Sequence, residues 1–321
     1  MMLKLKLKRY GWTLVGLAAV SFSVWLLYHE LKGLSLDELW ESIVAISPAH
    51  WLLCLVATLM AYAALAGYDG LALLHLKHSL SWTYVVATSF TTYALSHNIG
   101  APIFSGSVVR YRAYSAKGLT PAEVGVLVAF CSFTFMLGIM LLTGLVLIIE
   151  PGVTERFLDV LPIEASSATG YLLLGLVLFY VIGSILRLRP LQIGSFELAY
   201  PRLPIVLQQL VIGPLEIIGA ALIVYFALPE AGNPGFITVL GIFLIAFSLA
   251  LLSHAPGGLG VLEIAFITGL PEMDPVDVLA ALLVFRLLYL LVPLALALFV
   301  VLGFERRQLA NKVGGRRNVL T

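Results

Sequence analysis

This chain is poor in charge and in cysteine. Only 12% of its 321 residues are charged and the formal net charge is +1, so it lacks the basic stripe that holds a nucleic-acid backbone, and no nucleic-acid partner is expected. The two cysteines, Cys54 and Cys131, both sit inside apolar runs, which excludes a disulfide framework or a thiolate metal cluster. His, Asp and Glu nowhere fall at metal-ligand spacing, so no metal and no cofactor are expected. Gly257-Gly258-Leu259-Gly260 lacks the lysine and the strand-turn-helix setting of a nucleotide loop, leaving an ion gradient or lipid consumption as energy sources. A nucleophile with its base and orienting group is also missing, and the chain is not expected to be an enzyme.

What the chain has in abundance is apolar surface. Hydrophobic residues make up 60% of it, in runs near or beyond the roughly 20 residues that cross about 30 Å of hydrocarbon. The fold class is an all-α polytopic membrane protein. The basic segment Met1 to Arg9 precedes an apolar run with no small-residue cleavage site, which reads as a retained anchor starting in the cytoplasm. Spans are expected at 10–29, 50–68, 121–149, 169–186, 204–228 and 276–303, within a single membrane domain covering 1–321. Between the first two spans, Ser35 and Glu38 form a capping box ahead of Leu36, Leu39, Trp40 and Ile43, predicting an interfacial helix. Ser47-Pro48, Thr120-Pro121-Ala122-Glu123 and Asp274-Pro275 each place a capping side chain before a first-turn proline.

Two segments do not fit a full crossing. In 82–109 the apolar pattern breaks at Asn98-Ile99-Gly100-Ala101-Pro102, and too few apolar residues follow before Arg110, Arg112 and Lys117. In 236–270 it breaks at Ser253-His254-Ala255-Pro256-Gly257-Gly258, and the arm that follows is only about half a bilayer long before the acidic turn Glu272 to Asp277. Both read as re-entrant hairpins, the first entered from the cytoplasm and the second from outside. With two hairpins and about six spans, every Lys and Arg except Lys32, Arg156 and Arg286 falls on the cytoplasmic side, and both termini are cytoplasmic. Leu95-Ser96-His97 and Leu252-Ser253-His254 precede the two breaks in the same order. Paired Gly/Pro-broken segments of opposite orientation suggest an inverted repeat with a substrate site near the midplane, because unwound backbone is tolerated there only beside a cavity or inside protein.

The ionisable residues at membrane depth supply the candidate site. Arg286, mid-span, costs about 2.5–3.5 kcal/mol to insert and needs a partner, for which Glu216 and Glu263 are both in reach. That pair is read either as a structural tie or as a headgroup contact. Arg110 and Arg112 are expected at the cytoplasmic mouth, where a guanidinium fork matches phosphate oxygens; the bland alternative is ordinary cationic anchoring. His97 and His254 mark the breaks and read as helix-end hydrogen-bonding residues, while Gly257 and Gly258 are expected to line the cavity. Gln208 and Gln209 are expected near the cytoplasmic interface, with no role.

Arg110-Tyr111-Arg112-Ala113-Tyr114 with Gly118-Leu119, then Pro256-Gly257-Gly258-Leu259-Gly260-Val261-Leu262-Glu263, then Phe285-Arg286-Leu287-Leu288-Tyr289 with Pro293, resemble the membrane region of the lysylphosphatidylglycerol synthase family. This is the flippase half of multiple peptide resistance factor proteins. The resemblance runs in order over nearly the whole chain and implies a bacterial inner-membrane location and movement of a phospholipid between leaflets. The chain stops soon after the last expected span, so the expectation is a stand-alone member without the synthase domain and without transfer from aminoacyl-tRNA. The reading is a phospholipid translocase for a lipid with an anionic phosphate headgroup. Its rivals are an accessory subunit partnered with a lipid-synthesising or lipid-modifying enzyme, and an intramembrane headgroup enzyme using His97 or His254 as base.

Overall fold

The computed structural model describes residues 36–99, 102–157, 166–186, 191–193, 196–198, 200–253 and 258–302. The expected span 10–29, the basic ends, Ser35, His254 and Gly257 lie outside the described residues. Ten helices account for nearly all of the rest. They are α1 (Leu36–Ala45), α2 (Pro48–His75), α3 (Trp82–Ile99), α4 (Pro102–Ser115), α5 (Pro121–Ile149), α6 (Ser167–Ile185), α7 (Leu203–Ala227), α8 (Phe236–Ser253), α9 (Val261–Gly269) and α10 (Pro275–Leu302). A small antiparallel hairpin, β1 (Leu191–Ile193) with β2 (Phe196–Leu198), joins α6 to α7. Five of these helices, α2, α5, α6, α7 and α10, are long and apolar enough to cross a membrane, and the protein is an all-α polytopic membrane protein.

The helix starts follow their caps. The Ser47 hydroxyl accepts from the His50 amide at 3.2 Å ahead of Pro48. Thr120 accepts from the Glu123 amide at 3.3 Å while Glu123 accepts from the Thr120 amide at 2.7 Å. Asp274 accepts from the Val276 amide at 2.8 Å ahead of Pro275. Each cap satisfies amides that would otherwise be orphaned, and proline in the first turn removes one that has no partner to lose. A helix forms where the interfacial one was expected, as α1, with Leu39 buried and Trp40 exposed.

Small residues let the long helices approach closely, since burial of apolar side chains gives no drive between helices in lipid. A Cβ on Gly219 of α7 would stand 2.9 Å from the Ala57 carbonyl of α2, and one on Gly138 of α5 would stand 2.6 Å from the Gly213 backbone of α7. Pro214 sits inside α7 directly after that contact, and the Gly213 carbonyl accepts from the Tyr68 hydroxyl of α2 at 3.0 Å.

The two broken segments form helical hairpins, α3–α4 and α8–α9, that open at opposite ends of α5. At the first, the Tyr84 hydroxyl near the start of α3 donates to the Ala113 carbonyl near the end of α4 at 2.7 Å. Close by, His78 meets Glu123 in the first turn of α5 at 2.9 Å. At the second, Gly241 near the start of α8 packs on Val146 and Val153, and Gly269 at the end of α9 packs on Ile242 and Phe157. Arg156, just past the far end of α5, donates to the Gly269 carbonyl and to Glu272, both at 2.8 Å. Each hairpin thus begins and ends on one face of the bundle, and α5 separates the faces by a rise of about 43 Å.

One boundary differs from expectation in a way that matters. The second span does not stop at residue 68: α2 continues to His75 and carries Asp69, expected in a cytoplasmic loop, inside the bundle.

Candidate functional site

The hairpin tips converge on the middle of α10, where the helix changes its winding. From Arg286 to Leu291 it takes the wider π form, in which the Val292 amide reaches back to the Leu287 carbonyl. Such turns occur mostly as single-turn bulges inside α-helices, frequently at functional sites. Pro293 has no N–H to offer the carbonyl four residues before it, that of Tyr289. The Tyr62 hydroxyl of α2 fills that place at 2.9 Å. The neighbouring Leu290 carbonyl accepts from the Asn98 side-chain amide at 3.1 Å. Asn98 is the penultimate residue of α3, so this bond sets the tip of the first hairpin halfway along α10. On the other side, the Tyr289 hydroxyl donates to Oε1 of Glu216, in the middle of α7.

The second hairpin arrives through Glu263. Gly260 at the start of α9 has φ +77°, a left-handed conformation suited to glycine, and its amide donates to Glu263 Oε2 at 2.8 Å. The other oxygen, Oε1, lies 2.5 Å from Nη2 of Arg286. One carboxylate therefore both starts α9 and pairs with the cation at the head of the π segment. Arg286 and Glu263 are 4% and 8% exposed, so of the two acids in reach of Arg286 the ion pair is made by Glu263. Gly258, at φ +66°, is buried at the same tip against Leu262 and Ala250.

Arg110 requires a correction. Expected at the cytoplasmic mouth, it is 4% exposed and turned inward onto Asp69, which is fully buried. Its Nη2 lies 2.7 Å and its Nε 3.2 Å from Asp69 Oδ1, a fork of charge-assisted bonds. The Tyr114 hydroxyl donates to Oδ2 at 2.6 Å, and the guanidinium lies 4.7 Å from the Tyr93 ring centroid, a cation–π contact. The reason is helical geometry: α4 runs to Ser115 as one helix, so residues 110 and 114, one turn apart, share the inner face, while Tyr111 and Arg112 point outward and are exposed.

His97 lies between these clusters. Its ring stacks on Tyr289 at 5.3 Å and contacts Tyr93 at 5.6 Å. Arg110, Tyr93, His97, Tyr289 and Glu216 thus form a continuous polar and aromatic column from the Asp69–Arg110 pair to Glu216 in the middle of α7. Gln209, for which the sequence suggested no role, has a structural one. It is fully buried and ties three helices together, donating to Thr134 of α5 at 2.7 Å and accepting from Tyr180 of α6 at 2.8 Å. Among the described residues no three His, Cys, Asp or Glu side chains cluster as a metal site would require.

Asp69, Tyr62 and Tyr289 are central here, yet none was singled out for chemistry in the sequence. For Asp69 a signal exists, since Leu71-Ala72-Leu73-Leu74 continues the apolar run beyond it and argues against a loop boundary.

No protein-family profile matches the chain. It is 32% identical over 263 residues to the uncharacterized protein slr0712 of Synechocystis, covering 80% of this chain and 81% of that one. It is 29% identical over 286 residues to inner membrane protein YbhN of Escherichia coli, covering 85% and 86%. Against phosphatidylglycerol lysyltransferase of Staphylococcus aureus the identity is 27% over 297 residues, 91% of this chain but 34% of the transferase. The chain is a multi-pass inner-membrane protein, and it belongs to the lysylphosphatidylglycerol synthase transmembrane-region family, alongside slr0712 and YbhN.

Proposed function

We propose that this protein moves a phospholipid with an anionic phosphate headgroup between the leaflets of the inner membrane, without covalent change to the lipid. The observation that carries the reading is the Arg286–Glu263 pair, buried halfway along α10 where both hairpin tips arrive. Charge at that depth is costly and commonly lines a substrate or ion path, and broken helices that meet at the midplane are the architecture of alternating access. The name of the staphylococcal relative, a phosphatidylglycerol lysyltransferase, supports a lipid with a phosphate headgroup as the cargo.

In this reading the α3–α4 hairpin opens to the cytoplasm, where exposed Arg112 and Lys117 collect the headgroup, and α8–α9 opens outward. The headgroup passes Arg286, whose guanidinium exchanges Glu263 for phosphate, while the acyl chains stay in lipid. Arg110 holds the first hairpin through Asp69 rather than meeting the lipid.

The test is reconstitution of the purified protein in vesicles containing fluorescent phosphatidylglycerol or a fluorescent zwitterionic phospholipid, with a membrane-impermeant reductant added outside. Bleaching is expected to proceed beyond the outer-leaflet fraction, faster for the anionic lipid. Bleaching that stops at the outer-leaflet fraction contradicts translocation and turns the reading to an accessory subunit.

A further inference from the structure

Among the described residues, three carboxylates are buried at the core of this bundle, and they are not equivalent. Asp69 faces the Arg110 guanidinium and the Tyr114 hydroxyl. Glu263 faces Arg286 and the Gly260 amide. Glu216, 3% exposed in the middle of α7, makes no ion pair among the described residues. Its Oε1 accepts from the Tyr289 hydroxyl, and its Oε2 is enclosed without a hydrogen-bond partner among the described residues.

We propose that Glu216 is a proton-loading site: Oε2 takes up one proton from water during the working cycle and gives it back, changing the carboxyl from −1 to neutral and back. The proposal rests on the translocase reading only for its link to lipid movement. The geometry supplies the reasons. The Tyr289 hydroxyl already donates to Oε1, which leaves Oε2 as the place for the proton. Ionisable side chains of this kind inside membrane spans commonly serve as proton relays. Tyr289 is also held by the Tyr62 hydroxyl at its carbonyl and by His97 and Phe285 against its ring. A change of charge at Glu216 therefore acts on the residue that anchors the π segment, and Arg286 begins that segment.

On the helices packed against α7 the titratable groups are His50, Cys54, Tyr62, Tyr68, the already paired Asp69 and His75 on α2, Glu123 and Cys131 on α5, Tyr171 and Tyr180 on α6, and Asp277, the paired Arg286 and Tyr289 on α10; α8 carries none. His97 of α3 meets Glu216 only through Tyr289.

The test is infrared difference spectroscopy of the full chain in phospholipid vesicles, between acidic and alkaline buffers. The parent is expected to show a protonated-carboxyl carbonyl band at acidic pH that disappears at alkaline pH. That band is expected to be absent in Glu216→Gln and shifted in Tyr289→Phe, which loses the hydroxyl donor. Glu216→Asp serves as the second variant, with the band displaced rather than lost. In the vesicle assay, lipid movement by the parent should vary with pH and that by Glu216→Gln should not. A parent without a titrating band, or Glu216→Gln retaining the parent's band, overturns the proposal, and so does unchanged pH dependence of lipid movement in Glu216→Gln. The infrared result stands whether or not lipid moves, so failure of the proton site and failure of the translocase reading are distinguishable.

Discussion

Arg286→Ala is expected to reduce lipid movement to the protein-free rate and to destabilise the protein by about 3–5 kcal/mol, the usual cost of removing one partner of a buried ion pair. Both effects come from one place. The variant leaves Glu263 at 8% exposure without the guanidinium 2.5 Å away, while Glu263 still starts α9 through the Gly260 amide. Adding Glu263→Gln removes the stranded charge and, because loss of both partners is often close to neutral, should recover most of the unfolding midpoint. Lipid movement should not recover, since the cation that exchanges one anion for another is gone. That split between stability and transport separates a headgroup contact from a structural tie. If the single variant folds, inserts and moves lipid like the parent, Arg286 has no part in transport.

Asp69→Ala should cost a comparable 3–5 kcal/mol and lower the yield of folded protein. Asp69 is fully buried, and its truncation strands a guanidinium at 4% exposure together with the Tyr114 hydroxyl. Tyr114→Phe removes only one hydrogen bond to a charged group and should cost about 1.5–3 kcal/mol. Unfolding midpoints in detergent check the order, with Asp69→Ala below Tyr114→Phe and both below the parent. An Asp69→Ala protein as stable as the parent would mean that the pair does not hold the first hairpin.

The helix starts and the two breaks were legible because they rest on local chemistry. Thr120 with Glu123, Ser47 with Pro48, and Asp274 with Pro275 act within one turn, so spacing along the chain is enough to find them. The breaks at Asn98 to Pro102 and at Ser253 to Gly258 are visible for the same reason. The partners are another matter. Asp69 meets Arg110 across 41 positions, and Gln209 meets Thr134 across 75. A single acid at the edge of an apolar run looks like the start of a loop, and only the fold reveals the buried cation that lets α2 continue past it. Arg110 was misplaced by the same logic: a cation beside Arg112 and Lys117 resembles an anchoring cluster until the helical turn separates the inward position 110 from the exposed position 112. The π segment had no legible signal beyond Pro293, since the side chains that bond its carbonyls, Asn98 and Tyr62, come from the distant α3 and α2.

The arrangement of the two hairpins is tested most directly by cysteine labelling in intact cells. Cys54 and Cys131 are buried and give little background, whereas Lys117, at the opening of α3–α4, and Glu155, beside the opening of α8–α9, are exposed. With a membrane-impermeant maleimide, Glu155→Cys should label from outside and Lys117→Cys only after the inner membrane is opened. Labelling of both from the same side would contradict hairpins that enter from opposite faces and meet at α10.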